Sequence, residues 1–186
     1  MTSQRTSFDQ LTGDYDLDPA HTRIGFAARH AMVATVHGRF GIWSGKVHVD
    51  GADPTKSTAE ILIDAASIDT GNDQRDGHLR SPDFLDVANS PTITFRSTRI
   101  EPVDADTFRM TGDLTIRNVT HPVTIELEYQ GAATDPFGNF RVGFEGKGLI
   151  NRKDWGLVWN ARLETGGVLV GDKVKLEFDL SAIKKA

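Results

Sequence analysis

The chain of 186 residues reads as all-β, an antiparallel β-barrel of about eight strands with a short helical insertion. Three observations predict this. Apolar and polar residues alternate with period two in segment after segment, as half-buried strands require. No helical periodicity runs beyond two or three turns, so helices cannot cover a sheet face and the sheet must cover itself, which closure into a barrel achieves. Glycine is plentiful, 18 residues in all. Gly38, Gly41, Gly45, Gly143, Gly146 and Gly148 fall inside strand candidates, where glycine permits bending and leaves volume unfilled.

The elements follow in order. Residues 1–13 are polar and read as a flexible N-terminal tail ahead of one domain over 14–186. Ile24, Phe26, Ala28 and His30 share one parity against Arg23, Ala27 and Arg29, a strand with one apolar face, on which His30 falls. Candidates follow at Gly38 to Val49, Thr58 to Ile68 and Thr92 to Ile100. Between the last two lies a polar stretch near residues 72–88. There Asn72 and Asp73 can accept from the free N–H groups of a short helix, and Ser81-Pro82 repeats the device, so two short helical turns are expected.

Alternation resumes at Phe108, Met110, Leu114 and Ile116 and is cleanest at Val123, Ile125, Leu127 and Tyr129 against Thr124, Glu126 and Glu128. Asn139 to Ile150 and Leu157 to Thr165 are further candidates. The last strand places Val174, Leu176, Phe178 and Leu180 opposite Lys173, Lys175, Glu177 and Asp179. Turn signals at Gly51-Ala52-Asp53-Pro54 and Asp135-Pro136-Phe137-Gly138-Asn139 separate strands.

Composition narrows the function. Acidic residues outnumber basic ones, 26 to 21, and no arginine- or lysine-rich block occurs, which argues against nucleic acid as a partner. Cysteine is absent, excluding disulfides, a thiolate nucleophile and thiolate-ligated metals. No segment approaches the roughly 20 apolar residues of a membrane span, and Met1 to Thr12 lacks the apolar run of a secretory signal, so a cytoplasmic location is expected. No serine elbow, phosphate-cradling loop or metalloprotease helix appears.

Several segments carry a resemblance. They are Tyr15-Asp16-Leu17-Asp18 with His21, the run His30 to Phe40, and Thr70 to Val87 continuing through Ser90-Pro91-Thr92-Ile93-Thr94-Phe95. Thr111 to Val123 and Gly167 to Val174 complete the set. Together they resemble the YceI-like family of polyisoprenoid-binding proteins over nearly the whole chain after the first dozen residues. Asn118 departs from the family's usual glycine, but asparagine also tolerates a left-handed backbone. The resemblance implies a lipocalin-like barrel that binds, stores or transports a long-chain isoprenoid lipid, a prenylquinone or polyprenyl carrier, without catalysis or cofactor. By analogy it implies a possible homodimer.

The lining of such a lumen would come from Phe26, Phe40, Trp43, Ile61, Ile63, Phe95, Leu114, Phe144, Trp155, Leu157 and Trp159. Composition is compatible with a packed core or a dry tunnel, since eight-stranded barrels usually fill themselves; the resemblance favours the tunnel. Trp155, Leu157 and Trp159 share a face at strand spacing and would close the tunnel, cap the core or form a subunit interface.

Among polar candidates, Arg75, Asp76 and His78 near Asp73 would either receive a quinone carbonyl or phosphate at the barrel mouth or pin the insertion as a structural network. The network is the favoured reading. The same stretch fails as a calcium loop, because Gly71 and Arg80 stand where oxygen ligands are needed. His30 and His37 lack a third ligand at an identifiable spacing, so no metal site is expected; His30 remains a core histidine or a head-group partner. Two rival functions stay open: an enzyme using His30, Arg75 and Asp76 on an apolar substrate, and a solid barrel serving as a stress-response interaction module.

Overall fold

The computed structural model describes residues 6–186. Eleven strands form one sheet: β1 (Gly13–Leu17), β2 (Arg23–His30), β3 (Ala34–Phe40), β4 (Trp43–Val49), β5 (Thr58–Asp64), β6 (Ile68–Asp69), β7 (Thr92–Pro102), β8 (Thr107–Ile116), β9 (Val119–Thr134), β10 (Phe140–Asn151) and β11 (Val170–Lys184). The helix α1 (Asp73–Arg80) stands between β6 and β7. Every strand pair is antiparallel.

Pairing runs β1-β4-β5-β7-β8-β9-β10-β11 and returns from β11 to β1, which closes a ring of eight strands. The expected barrel is therefore the observed one. The three remaining strands continue members of that ring past a bend. β2 extends the line of β1 along β11, pairing at Arg23↔Asp179 where β1 pairs at Leu17↔Ala182. β3 continues β4 across Gly41–Ile42, so the single strand expected at Gly38 to Val49 is one bent line with its break exposed. β6 continues β5 after a 3-10 turn at Ala65–Ser67.

One end of the barrel carries the β2–β3 turn, the insertion 70–91, the β8–β9 turn at Arg117-Asn118 and the long connection 152–169. The other end carries the β4–β5, β7–β8 and β9–β10 connections and the N-terminal segment. That segment corrects the expectation of a tail through residue 13. Leu11 is 0% exposed, Phe8 packs its ring on Phe108 at 4.5 Å, and the Tyr15 and Tyr129 hydroxyls donate to the carbonyls of Leu11 and Thr6, each at 2.7 Å. Apolar side chains at Phe8 and Leu11 meet an open barrel end, and burying them outweighs the entropy of a free tail. The expectation for residues 1–5 lies outside the described residues.

In the insertion, Asn72 caps α1 as expected, its Oδ1 accepting from the Arg75 N–H at 2.9 Å. Ser81 does not start a second helix. It ends the first, its N–H and hydroxyl both donating to the His78 carbonyl, and turns carry the chain onward. The β8–β9 turn holds the insertion in place. Arg117 and Asn118 both adopt left-handed backbone (φ 53° and 60°), the two-residue geometry that matches strand twist. Their side chains reach out to the Phe84 carbonyl (3.0 Å) and the Ser90 hydroxyl (2.9 Å).

Glycine inside the strands makes room for rings. A Cβ on Gly38 would lie 2.3 Å from the Phe26 ring, and one on Gly112 would lie 2.4 Å from the Phe95 ring. The volume vacated at Gly38 is occupied by a neighbouring phenyl group, not left empty as expected, and Gly112, which was not among the glycines read from the sequence, is filled in the same way.

Candidate ligand cavity

The upper half of the barrel contains a cavity of about 250 Å³. Its walls are the inward parity of each strand: Ile24, Phe26 and Ala28 from β2, Phe40 from β3, Ile61 and Ile63 from β5, Ile93 and Phe95 from β7, Met110 and Leu114 from β8, and Val123, Ile125 and Leu127 from β9. Val174, Leu176, Phe178 and Leu180 of β11 complete the circle. These β11 side chains are only half-buried although they point inward, because one side of each faces empty space.

The floor is solid. Tyr15, Phe108 and Tyr129 are buried beneath the cavity and rest on Phe8 and Leu11 of the N-terminal segment. Burial, with Tyr129 nearby, pushes the Tyr15 phenol up to about 12. At the upper end Leu79, Phe84 and Leu85 of the insertion and Trp155 and Leu157 of the long connection cover the cavity. The Trp155 indole donates to the Leu114 carbonyl at 2.9 Å, satisfying its one polar atom.

Arg152 organises that cover. It is 5% exposed and touches the cavity wall. Its guanidinium donates to the carbonyls of Leu157 (2.6 Å), Trp159 (2.9 Å), Gly171 (2.9 Å) and Val170 (3.3 Å). Burial lowers its pKa, opposed by the Asp172 carboxylate at 3.8 Å. The Leu157 and Trp159 carbonyls belong to the segment expected as a strand at Leu157 to Thr165, those of Val170 and Gly171 to the start of β11. The segment is an extended loop whose backbone acceptors turn to Arg152 in place of a ladder, with one isolated bridge at Arg162↔Val168.

Of the lining residues read from the sequence, Phe26, Phe40, Ile61, Ile63, Phe95, Leu114, Trp155 and Leu157 border the cavity. Trp43, Phe144 and Trp159 do not. Trp43 packs against the core at the bend beside Gly41–Ile42, and Phe144 lies on Tyr129 (5.6 Å) after the bulge at Gly143/Phe144. Trp159 stands outside the cover, 5.5 Å from Phe84 and 4.5 Å from His78.

The polar candidates are dispersed. His30 ends β2 at the exposed rim, beyond the depth at which the strand's apolar parity is covered. Asp76 is 3% exposed and accepts from the Thr70 N–H (2.9 Å) and hydroxyl (2.5 Å), while Arg75 donates to the Thr70 hydroxyl (2.7 Å) and carbonyl (2.8 Å). Both are spent on the turn into α1. His78 bonds Asp83 at 2.9 Å and packs edge-on against Phe84 and Trp159. None of the four borders the cavity, and Arg75 and Asp76 bond to Thr70 with no hydrogen bond or ion pair to His30 among the described residues. Among the described residues no three His, Asp or Glu side chains gather as a metal site, and no helix is long and apolar enough to cross a membrane.

The wall residues Met110, Val123, Ile125, Leu127, Leu176, Phe178 and Leu180 stood on the apolar parities without being singled out. Phe84 and Leu85, an apolar pair inside a polar insertion, were the available signal for the cover. Arg152 gave none, because arginine is usually exposed.

The YceI-like domain family matches residues 15–182. The chain belongs to the YceI-like family. A UPF0312 protein of Pseudomonas paraeruginosa is 37% identical over 154 residues, 82% of this chain and 80% of its own. BcnA of Burkholderia cenocepacia is similar in structure, with TM-score 0.78 and 25% identity over 89% of this chain and 98% of that one. A polyisoprenoid-binding domain from Saccharophagus degradans, implicated in plant cell wall breakdown, shares the fold at TM-score 0.69 and 19% identity, covering 92% of this chain and 98% of its own.

Proposed function

We propose that this protein binds a long-chain isoprenoid lipid in its upper cavity and shields it from water for storage or transport, without catalysis. The observation that carries the reading is the apolar cavity, whose one buried charged lining residue, Arg152, is already committed to backbone carbonyls. Such a space, lined by apolar side chains apart from Arg152 and Glu60, suits a ligand recognised by area. The name of the Saccharophagus degradans neighbour supports the lipid class.

Magnitudes bound the ligand. A 150 Å³ apolar cavity holds benzene, so 250 Å³ admits about ten carbons, or two isoprene units. At about 0.8 kcal/mol per buried methylene that is ~8 kcal/mol gross, and association costs of ~4 kcal/mol or more leave millimolar affinity. A prenyl tail of about 40 carbons, at ~0.3 kcal/mol per atom, would reach ~12 kcal/mol. Tight binding therefore needs the tail to displace the half-buried side chains Phe26, Phe40, Leu176, Phe178 and Leu180, which border the cavity.

The test is organic extraction of the purified protein followed by mass spectrometry, with Ala28→Trp as the blocking variant. Ala28 lines the cavity, and an indole there fills much of it. Recovery of a prenylated lipid from the wild type and its loss from the folded Ala28→Trp protein is expected. A clean extract, together with no uptake of added prenylquinone, refutes the carrier reading.

A further inference from the structure

The end of the barrel that carries the cavity's cover also presents apolar side chains to solvent. Met32 is 58% exposed and Val33 81% exposed at the tip of the β2–β3 turn, and Val158 and Val168 are exposed on the long connection. The two segments touch. The Ala31 N–H donates to the Leu169 carbonyl at 2.7 Å, and Met32 Sδ lies so near Gly167 that a Cβ there would come within 2.1 Å.

The turn is costly in two ways. Ala31 and Met32 both hold left-handed backbone, φ 50° and 62°, where glycine or asparagine is the inexpensive choice. Soluble surfaces also favour polar residues at such a tip, and this one ends in Met-Val. A strained turn that projects apolar groups is a sign of a docking element.

Charge selects the occupant. From Pro19 to Val49 the chain has no aspartate or glutamate, although the whole chain has 26. The β2–β3 hairpin itself carries Arg23, Arg29 and Arg39 with His30 and His37, while Lys46 and His48 lie on β4 toward the opposite end. Arg23 and Arg39 face Glu177 and Asp69 on neighbouring strands, each at 3.8 Å. Arg29, next to the tip, has no carboxylate partner among the described residues and is held upright by the Met32 carbonyl and Thr35 hydroxyl, both at 3.1 Å. An apolar tip on a basic hairpin matches the interface of an anionic bilayer, where apolar groups enter the acyl boundary and cations meet head groups.

We propose that the Met32-Val33 tip, with Val158 and Val168 beside it, docks this end of the barrel on an anionic lipid bilayer. Docking here sets the cavity's cover, formed by Phe84, Leu85 and Leu157, against the membrane that holds an insoluble tail. That consequence rests on the carrier reading; the docking itself does not.

The experiment is flotation of the full chain with vesicles of phosphatidylglycerol and phosphatidylcholine that contain no isoprenoid, so lipid uptake plays no part. The wild type floats with these vesicles and less with phosphatidylcholine alone. Met32→Asp/Val33→Asp, at two exposed positions, lowers the bound fraction about tenfold or more. Phe137→Asp, at the opposite end and 88% exposed in the wild type, leaves it unchanged. The proposal is overturned if the wild type stays in solution, if the double variant floats equally well, or if only Phe137→Asp abolishes flotation. It is also overturned if sedimentation shows a dimer that the double variant dissolves while nothing floats, since a second copy then covers the tip. Flotation with a clean organic extract would keep docking and reject the carrier.

Discussion

Leu11→Ala tests whether the N-terminal segment is part of the barrel. Leu11 is 0% exposed and belongs to the core that closes the lower end. Leu→Ala at such a site costs about 2–5 kcal/mol, from lost transfer energy and the cavity left behind, whereas a residue on a free tail changes stability by no more than about 0.5 kcal/mol. Taking ~3 kcal/mol, and about 2–4 °C per kcal/mol for a domain of this size, the melting temperature falls by roughly 6–12 °C. The hydrogen bond from Tyr15 goes to the Leu11 carbonyl and survives the substitution, so the loss reports packing alone. If residues 6–12 dock as a unit, adding Phe8→Ala costs less than Phe8→Ala alone, because the segment has already released. The chain has two tyrosines, which allows an independent reading by alkaline titration of phenolate absorbance. In the wild type Tyr15 titrates near about 12, so its contribution is complete below its ordinary value of 10.0 and is lost as pH rises through about 12. In the doubly substituted protein the Tyr15 phenol should move back toward its ordinary 10.0. A Leu11→Ala protein that unfolds within 0.5 kcal/mol of wild type and keeps its tyrosine titration would refute the reasoning.

The remaining predictions concern the cover, the lower rim and the strand glycines. Arg152→Met leaves the carbonyls of Leu157, Trp159, Val170 and Gly171 without their donor; partial rehydration limits the cost to about 2–4 kcal/mol. Hydrogen exchange should accelerate in residues 156–170, and unchanged protection there would show that the guanidinium does not clamp the loop. Arg141 donates to Asp18 at 2.6 Å and Asp135 at 2.7 Å and, as their largest influence, holds each carboxyl at about 2 against an ordinary 3.8. Because the folded values are depressed, this stabilisation is complete above 3.8 and is lost as pH falls toward 2. Urea midpoints should drop more steeply across that window in wild type than in Arg141→Met; parallel curves would discount the pair. Gly112→Ala sets a methyl 2.4 Å from the Phe95 ring and 2.6 Å from the Arg96 carbonyl, with backbone on one side unable to yield. A cost of about 1–3 kcal/mol is expected, and a neutral result would mean that the barrel wall flexes at this point.

Alternation made the strands legible wherever a ladder and an apolar lumen act on the same residues. Val123, Ile125 and Leu127 against Thr124, Glu126 and Glu128 is such a case, and β9 runs through all of them. The same signal misled at Trp155, which ends a 3-10 turn at Arg152–Trp155, and at Leu157 and Trp159 on the extended loop after it. Side chains alternate along any extended backbone, paired or not, so spacing cannot reveal that the carbonyls of Leu157 and Trp159 go to a buried arginine. Arg152 itself escaped notice for a related reason: its burial depends on four acceptors brought together by folding, and no short sequence window contains them. At Gly38 the inference from glycine to empty space failed because volume is a balance between strands, and Phe26 on the facing strand takes up what Gly38 gives away. The cavity is the residue of that balance summed around eight strands, left above Tyr15, Phe108 and Tyr129 where no inward ring reaches the axis. A pattern read one strand at a time specifies which side chains face the lumen, and only the closed ring determines whether they meet.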